Sequence, residues 1–340
     1  MSAHPQTLHT HGEILANIPG ILGYYPHNSL VLAFFIAEED SSSIRLGPVA
    51  RLDLDHAEER LSETRARFTA WNERLALDAV IAYVISDDFA DPLIDETIAY
   101  VTSDAAPLPK VLAVVQAPEI VTGATWWTTY QHPSIDAPRS GVIGDVATSA
   151  ALQQMLAHTG ELPETSRADI EARLSRTDHG IDAAEHNDII EDALAYIPSM
   201  FADVLQREYE QAAAGMTQPS TRAVRSALKC FTTPCLRDPL LAALLDEPQA
   251  GLAFAEHVMR AVPASWPGMR AQLTATVAVL AHATGQAGLA TVAAQQATEI
   301  GPKESFPSLV AELTNIGEAT RMVELVREGG TKAREILFAE

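Results

Sequence analysis

The spacing of apolar residues changes character along the chain. Leu30-Val31-Leu32-Ala33-Phe34-Phe35-Ile36 is an unbroken apolar run, the pattern of a strand buried on both faces. From Ile44 to Leu54 the pattern alternates: Ile44, Leu46, Ala50, Leu52 and Leu54 share one face, and Arg45, Arg51 and Asp53 the other. Pro48 within that run predicts an edge position or a bulge. The polar link Glu38 to Ser43 predicts that the two strands form a hairpin. Val80 to Ile85 and Val111 to Val115 are short, apolar and β-branched, and read as two further strands. Between them Ala57, Leu61, Phe68, Trp71 and Leu75 recur near a period of about 3.6, which predicts one amphipathic helix over about 56–76. Asp55 and Glu58 read as its capping box. Asp91-Pro92 opens a second helix, through about Thr102. The order β-β-α-β-α-β predicts an α/β domain with a mixed sheet, at least one parallel strand pair and covering helices.

From Ala117 to Gly144 periodicity is weak, and Thr125 to Tyr130 is the best candidate there for one more strand. Ser140 to Asp145 reads as a loop, because it lacks both a phosphate-loop lysine and the third glycine of a dinucleotide fingerprint. After about Asp145 the strand signals stop. Helices are expected at 146–158, 167–176, 184–213, 221–231, 239–246, 250–261, 269–283, 286–300, 305–316 and 318–328, with glycines and prolines between them. The expected organisation is an α/β domain over 1–145 and an all-α domain over 146–340, with Asp178 to Asp188 as a candidate linker. Ala290, Ala297 and Pro302 match the spacing of a tetratricopeptide repeat, but the upstream Trp, Leu-Gly and Tyr positions are unmatched. An αα-hairpin bundle is therefore expected, with a tetratricopeptide-like arrangement over about 269–316 as the alternative.

Charge then narrows the function. Across 340 residues there are 45 acidic and 23 basic side chains, a net charge of −22. Such a chain repels phosphate backbones and anionic lipid surfaces, so neither nucleic acid nor membrane is an expected partner. The longest apolar run, Leu30 to Ala37, is far too short to span a bilayer, and Met1 to Gly12 is polar and His-rich. The two cysteines, Cys230 and Cys235, make neither a zinc site nor a disulfide framework. A cytoplasmic protein is expected.

One stretch resembles a known family. Pro19, Leu22-Gly23-Tyr24, Pro26 and Ser29-Leu30-Val31 follow the opening of the actinobacterial domain-of-unknown-function family 4192: a helix, a proline, Leu-Gly-aromatic, a proline, Ser-Leu-Val and the first strand. Trp126-Trp127 stands where such proteins carry an aromatic pair. Leu236-Arg237-Asp238-Pro239-Leu240-Leu241 resembles their Arg-Asp segment before Ala-rich tail helices. The resemblance covers nearly the whole chain and implies no reaction, cofactor or partner.

Candidate chemistry is scattered. Asp53, Asp87 and Asp88, with Asp55, follow strand ends, and carboxylates gathered at one sheet edge could hold Mg²⁺ or act as an acid/base pair. Their plainer roles are caps and turns. Tyr24, His27, Asn28 and Ser29 combine aromatic, imidazole, amide and hydroxyl groups in the turn before the first strand, and could read a small ligand or simply build the turn. Ser29 lacks the context of a nucleophile elbow. Trp126 and Trp127 must point to opposite faces of a strand, so one is a candidate for a binding surface. Arg237-Asp238-Pro239 reads as a helix start, with Asp238 capping and Pro239 in the first turn, and Arg237 is expected to pair with an acidic face of the other domain. Ser166 to Asp169 reads as another capping box. His9 and His11 could chelate a stray metal but are expected in a loose N-terminal tail, and His179 and His186, seven residues apart, share a face only if that linker is helical. The reading that follows is a binding or interaction protein: an α/β platform with a helical tail that binds a protein partner or a second copy of itself, a small-molecule ligand being possible. No cofactor is expected. The alternative is a metal-assisted hydrolase or transferase acting on a small phosphorylated substrate, and only that alternative calls for Mg²⁺.

Overall fold

The computed structural model describes residues 10–37, 44–175, 188–189, 202–217, 219–232 and 234–338. The chain divides into two compact units, Met1–Arg167 and Ala168–Glu340.

The first unit opens with α1 (His11–Leu22). Its start is a reciprocal cap: the Thr10 hydroxyl accepts from the Glu13 amide, and the Glu13 carboxylate accepts from the Thr10 amide, both at 3.2 Å. Gly23 ends it at φ 76°, donating to the Pro19 carbonyl, a backbone position where a Cβ would be strained. Then follow β1 (Ser29–Ala37) and β2 (Ile44–Asp53), a 3₁₀ turn (Leu54–His56), α2 (Ala57–Glu63), α3 (Arg65–Leu75), β3 (Ala79–Ile85), α4 (Pro92–Val101), β4 (Lys110–Ala117), β5 (Thr125–Gln131), β6 (Ser140–Val142) and α5 (Ala150–Thr159). The six strands form one sheet in the order β2-β1-β3-β4-β5-β6. Among these described strands only β3 and β4 are parallel neighbours.

The sheet is covered on both faces. Leu30, Leu32 and Phe34 of β1 with Val80, Ala82 and Val84 of β3 pack under α2, α3 and α4, around Phe68 and Trp71. The opposite face meets α1, where His11 touches Tyr83 of β3 and Trp126 of β5. In turn α1 carries α5: the Asn17 carboxamide oxygen accepts from the Ala151 amide at 2.8 Å, and Gly20 lies against the backbone of Leu152. This packing puts α5 with the first unit, whose boundary falls at Arg167, later than the 145/146 division read from the sequence.

The second unit contains α6 (Arg167–Ser175, from Ala168), α7 (Ala202–Ala214), α8 (Thr221–Thr232), α9 (Pro234–Asp246), α10 (Pro248–Ala261), α11 (Pro267–Ala283), α12 (Ala287–Ile300), α13 (Ser305–Asn315) and α14 (Ala319–Phe338). The α11 helix is apolar nearly all round and packs with α8, α9, α10, α12, α13 and α14, as expected of a helix at the centre of a bundle. Buried Arg270 donates to the carbonyls of Met259, Val262 and Leu174, which terminate α10 and α6. Buried Glu256 bridges Arg173 and Arg260 at 2.7 and 2.8 Å.

Several expectations need correction. The helix expected over 56–76 is two helices, because the Thr64 hydroxyl bonds back to the Arg60 and Leu61 carbonyls and competes with the helical ladder. Asp55 lies inside the 3₁₀ turn and makes no cap: the residue before α2 is His56, which has no side-chain capping bond. Part of the loop expected over 140–145 is the edge strand β6. The α5 helix starts at Ala150 and not near 146, because the Asp145 carboxylate takes the Ala147 amide in a turn first. Pro239 does not open a helix; Pro234 does, and Pro239 sits inside α9. His11, placed by sequence in a loose tail, begins α1 and is buried. The 178–187 stretch of the candidate linker, the hairpin link 38–43, and His4, His9, His179 and His186 lie outside the described residues.

Candidate functional site

Strand register builds the candidate site. Ser29 opens β1 and pairs with Asp53 at the end of β2 on one side and with Ile85 at the end of β3 on the other. Ile85 in turn pairs with Ala117 at the end of β4. The carboxyl ends of β2, β3 and β4 therefore share one edge of the sheet, because β2 and β3 are each antiparallel to the β1 strand between them. Asp53, Asp87, Asp88 and the turn ending at Ser29 all come to this edge. Asp53 and Ile85 are two strands apart, about 10 Å.

The polar groups here satisfy one another. Arg51, whose side chain is only 8% exposed, ion-pairs with Asp53 at 2.6 Å. It also donates from Nε to the Ser29 hydroxyl at 2.7 Å and from Nη2 to the His27 carbonyl at 3.4 Å. The Ser29 hydroxyl donates to the same carbonyl at 2.6 Å. Asn28 adopts φ 44°, an uncommon conformation that asparagine tolerates better than most residues; its side-chain oxygen accepts from the Ser86 hydroxyl at 3.1 Å. The Ser86 oxygen accepts from the Asp88 amide, and the Asp88 carboxylate accepts from the Ala90 amide. Tyr24 is buried and bridges to Glu164, while His27 and Asn28 are exposed. Ser29 is wholly buried, so its hydroxyl is a structural link and not an accessible nucleophile.

The carboxylates do not converge. Asp53 turns to Arg51, Asp88 caps its own turn, and Asp87 is exposed beside it. Among the described residues no three His, Cys, Asp or Glu side chains approach closely enough to hold a metal ion.

The tryptophans divide as their alternation requires. Trp126 is 3% exposed; it donates to the Val142 carbonyl at 3.2 Å and packs edge-on to His11 with ring centres 5.2 Å apart. Burial lowers the His11 pKa and raises that of Tyr83, so both are held neutral in the core. Trp127 is half-buried on the opposite face. Its indole N–H donates to Gln116 at 2.8 Å, and Phe89 stands against it in an edge-to-face contact, 4.9 Å between ring centres. Phe89 is 51% exposed. A groove of about 600 Å³ also opens between α2 and α4, lined by Asp55, Glu58, Glu59, Glu63 and Glu96.

Arg237 belongs to the second unit. It ion-pairs with the neighbouring Asp238 at 2.8 Å and lies over the Phe306 ring at 4.9 Å.

The Domain of unknown function (DUF4192) family model matches residues 12–319. The chain belongs to the DUF4192 family. The DUF4192 match runs from the second residue of α1 to the first of α14, so it spans both units and every candidate residue above. No curated protein and no solved structure matches the chain.

Sequence reasoning missed four participants of this DUF4192 edge: Arg51 as the hub of the turn, Ser86, Gln116 and Phe89. Phe89 carried a usable signal, a large aromatic between two aspartates and a helix cap, where a turn has no need of one. Arg51 carried none, since its side chain reaches Ser29 only through the β1–β2 pairing.

Proposed function

We propose that this protein is a non-catalytic interaction protein, whose α/β unit binds a protein partner at the carboxyl edge of its parallel strands. The observation that carries the reading is Phe89, half exposed and standing on Trp127, at an edge where Ser29, Arg51 and Asp53, and Asn28 and Ser86, are committed to one another. An exposed aromatic on a rigid aromatic base suits a binding anchor. Catalysis needs groups free to act on a substrate, and here Ser29, Arg51, Asp53 and Asp88 are engaged in holding the turns. Cys230 and Cys235 are not joined in a disulfide, which fits a reducing compartment, and we place the protein in the cytoplasm.

The test replaces Phe89 with a photo-crosslinking benzoylphenylalanine in the full chain, inside the cells that make it. A discrete adduct at position 89, lost in Trp127→Ala and missing when the probe stands at exposed Leu162 instead, supports the reading. Absence of any adduct at position 89, with a bare chain in native mass spectrometry, sinks it.

A further inference from the structure

We infer that the segment docking on Phe89 and Trp127 is basic, a stretch of a different protein that carries lysine or arginine next to an apolar residue. The inference rests on the proposed docking reading and adds the chemistry of the partner. Phe89 is preceded by exposed Asp87 and Asp88, and followed by Asp91 at the start of α4. The groove between α2 and α4, whose wall includes Leu93 four residues along the chain from Phe89, is lined by Asp55, Glu58, Glu59, Glu63 and Glu96. Two of the cations near them are paired, Arg51 with Asp53 and Arg60 with Glu63. Arg139, exposed beside Ser140 across the ladder from Trp127, borders this acidic surface on the β6 side.

An apolar anchor whose flanking charges are mostly acidic favours a partner of the opposite sign, through faster encounter and through rejection of like charges. The same argument disfavours a second copy of this chain, which brings its own net charge of −22 to the contact. A cationic side chain can also lie over an aromatic ring while its charge meets a carboxylate, and here Phe89 and Asp87 offer both within three residues.

The test uses the full chain and two fluorescein-labelled peptides, one alternating lysine with leucine and one alternating glutamate with leucine. Fluorescence anisotropy at physiological salt reads the affinity. The lysine peptide is expected to bind, and Phe89→Ser to weaken it at least about tenfold. Asp87→Asn with Asp88→Asn should weaken it and flatten its salt dependence, because asparagine keeps the cap on Ala90 while removing charge. Binding that ignores Phe89→Ser is mere attraction to an acidic chain and overturns the inference, as does equal binding of the glutamate peptide. A photo-adduct at position 89 with an acidic protein would overturn this inference and leave the docking reading standing. With no adduct and no dependence of peptide binding on Phe89, both fall.

Discussion

The Arg51 guanidinium donates to the Ser29 hydroxyl at 2.7 Å, joining edge strand β2 to the turn that opens β1. Nearly buried, it also anchors Asp53 and the His27 carbonyl. Arg51→Met should destabilise the chain by roughly 2–3 kcal/mol, the scale of losing hydrogen bonds to a buried charged donor. Arg51→Lys should recover only part, since an ammonium lacks the guanidinium's planar fork. Urea unfolding checks both. The Phe89→Ser variant should unfold close to wild type in the same assay, which would separate the scaffold of this edge from its docking surface.

Gly329 and Gly330 are neighbours in α14 with opposite expected responses. A Cβ on Gly330 would fall on the Asp238 carbonyl oxygen of α9, whereas one on Gly329 would meet open space. Gly330→Ala should force the two helices apart and cost about 2 kcal/mol or more. Gly329→Ala should stabilise by about 0.5–1 kcal/mol, by removing glycine's entropy cost in a helix. Thermal melts of the two variants would read the difference in sign directly.

His282 makes the stability of the helical unit depend on pH. Burial lowers its pKa to about 4, and its Nε2 contacts the Thr314 hydroxyl at 3.2 Å. The folded state therefore resists protonating an imidazole that the unfolded chain protonates near 6.5. The contribution is fully present above pH about 6.5 and is lost as pH falls toward about 4. At pH 5 the loss should be about 2 kcal/mol. His282→Gln should flatten this dependence; chemical unfolding at pH 7 and pH 5 measures it. Burial lowers the His11 pKa as well, which adds a loss of the same sign in the first unit.

Arg270 caps two helices at once from inside the bundle. Its Nη1 donates to the Met259 and Val262 carbonyls and its Nη2 to that of Leu174. Arg270→Leu leaves three carbonyls without this donor and should cost roughly 3–5 kcal/mol. Hydrogen exchange should then show the end of α6 opening first, since Leu174 lies one residue from its terminus.

Much of the fold was legible because its signals are local. The apolar runs of β1, β3 and β4, the alternation of β2, and Asp91-Pro92 before α4 each report burial or capping within a few residues, and each element forms where those signals stand. The misplaced boundaries share a cause, in that a neighbouring group settled them. Thr64 divides the 57–75 stretch through its own hydroxyl bonds. Ser140 to Val142 becomes a strand because β5 offers it a ladder. Pro239 stays inside α9 because Pro234 supplies the helix start.

The sequence by itself determined the two kinds of unit, the acidity, the opposite faces of Trp126 and Trp127, and the strand-end positions of Asp53 and Asp87, since composition and period follow from the order of residues alone. Only the tertiary structure decided that β1 lies between β2 and β3 and so brings their ends to one edge. It also decided that Arg51 engages Asp53, and that Phe89 finds Trp127 thirty-eight residues away. Pairing order and side-chain partners depend on which elements win the competition for burial, and that competition is settled across the whole sheet at once.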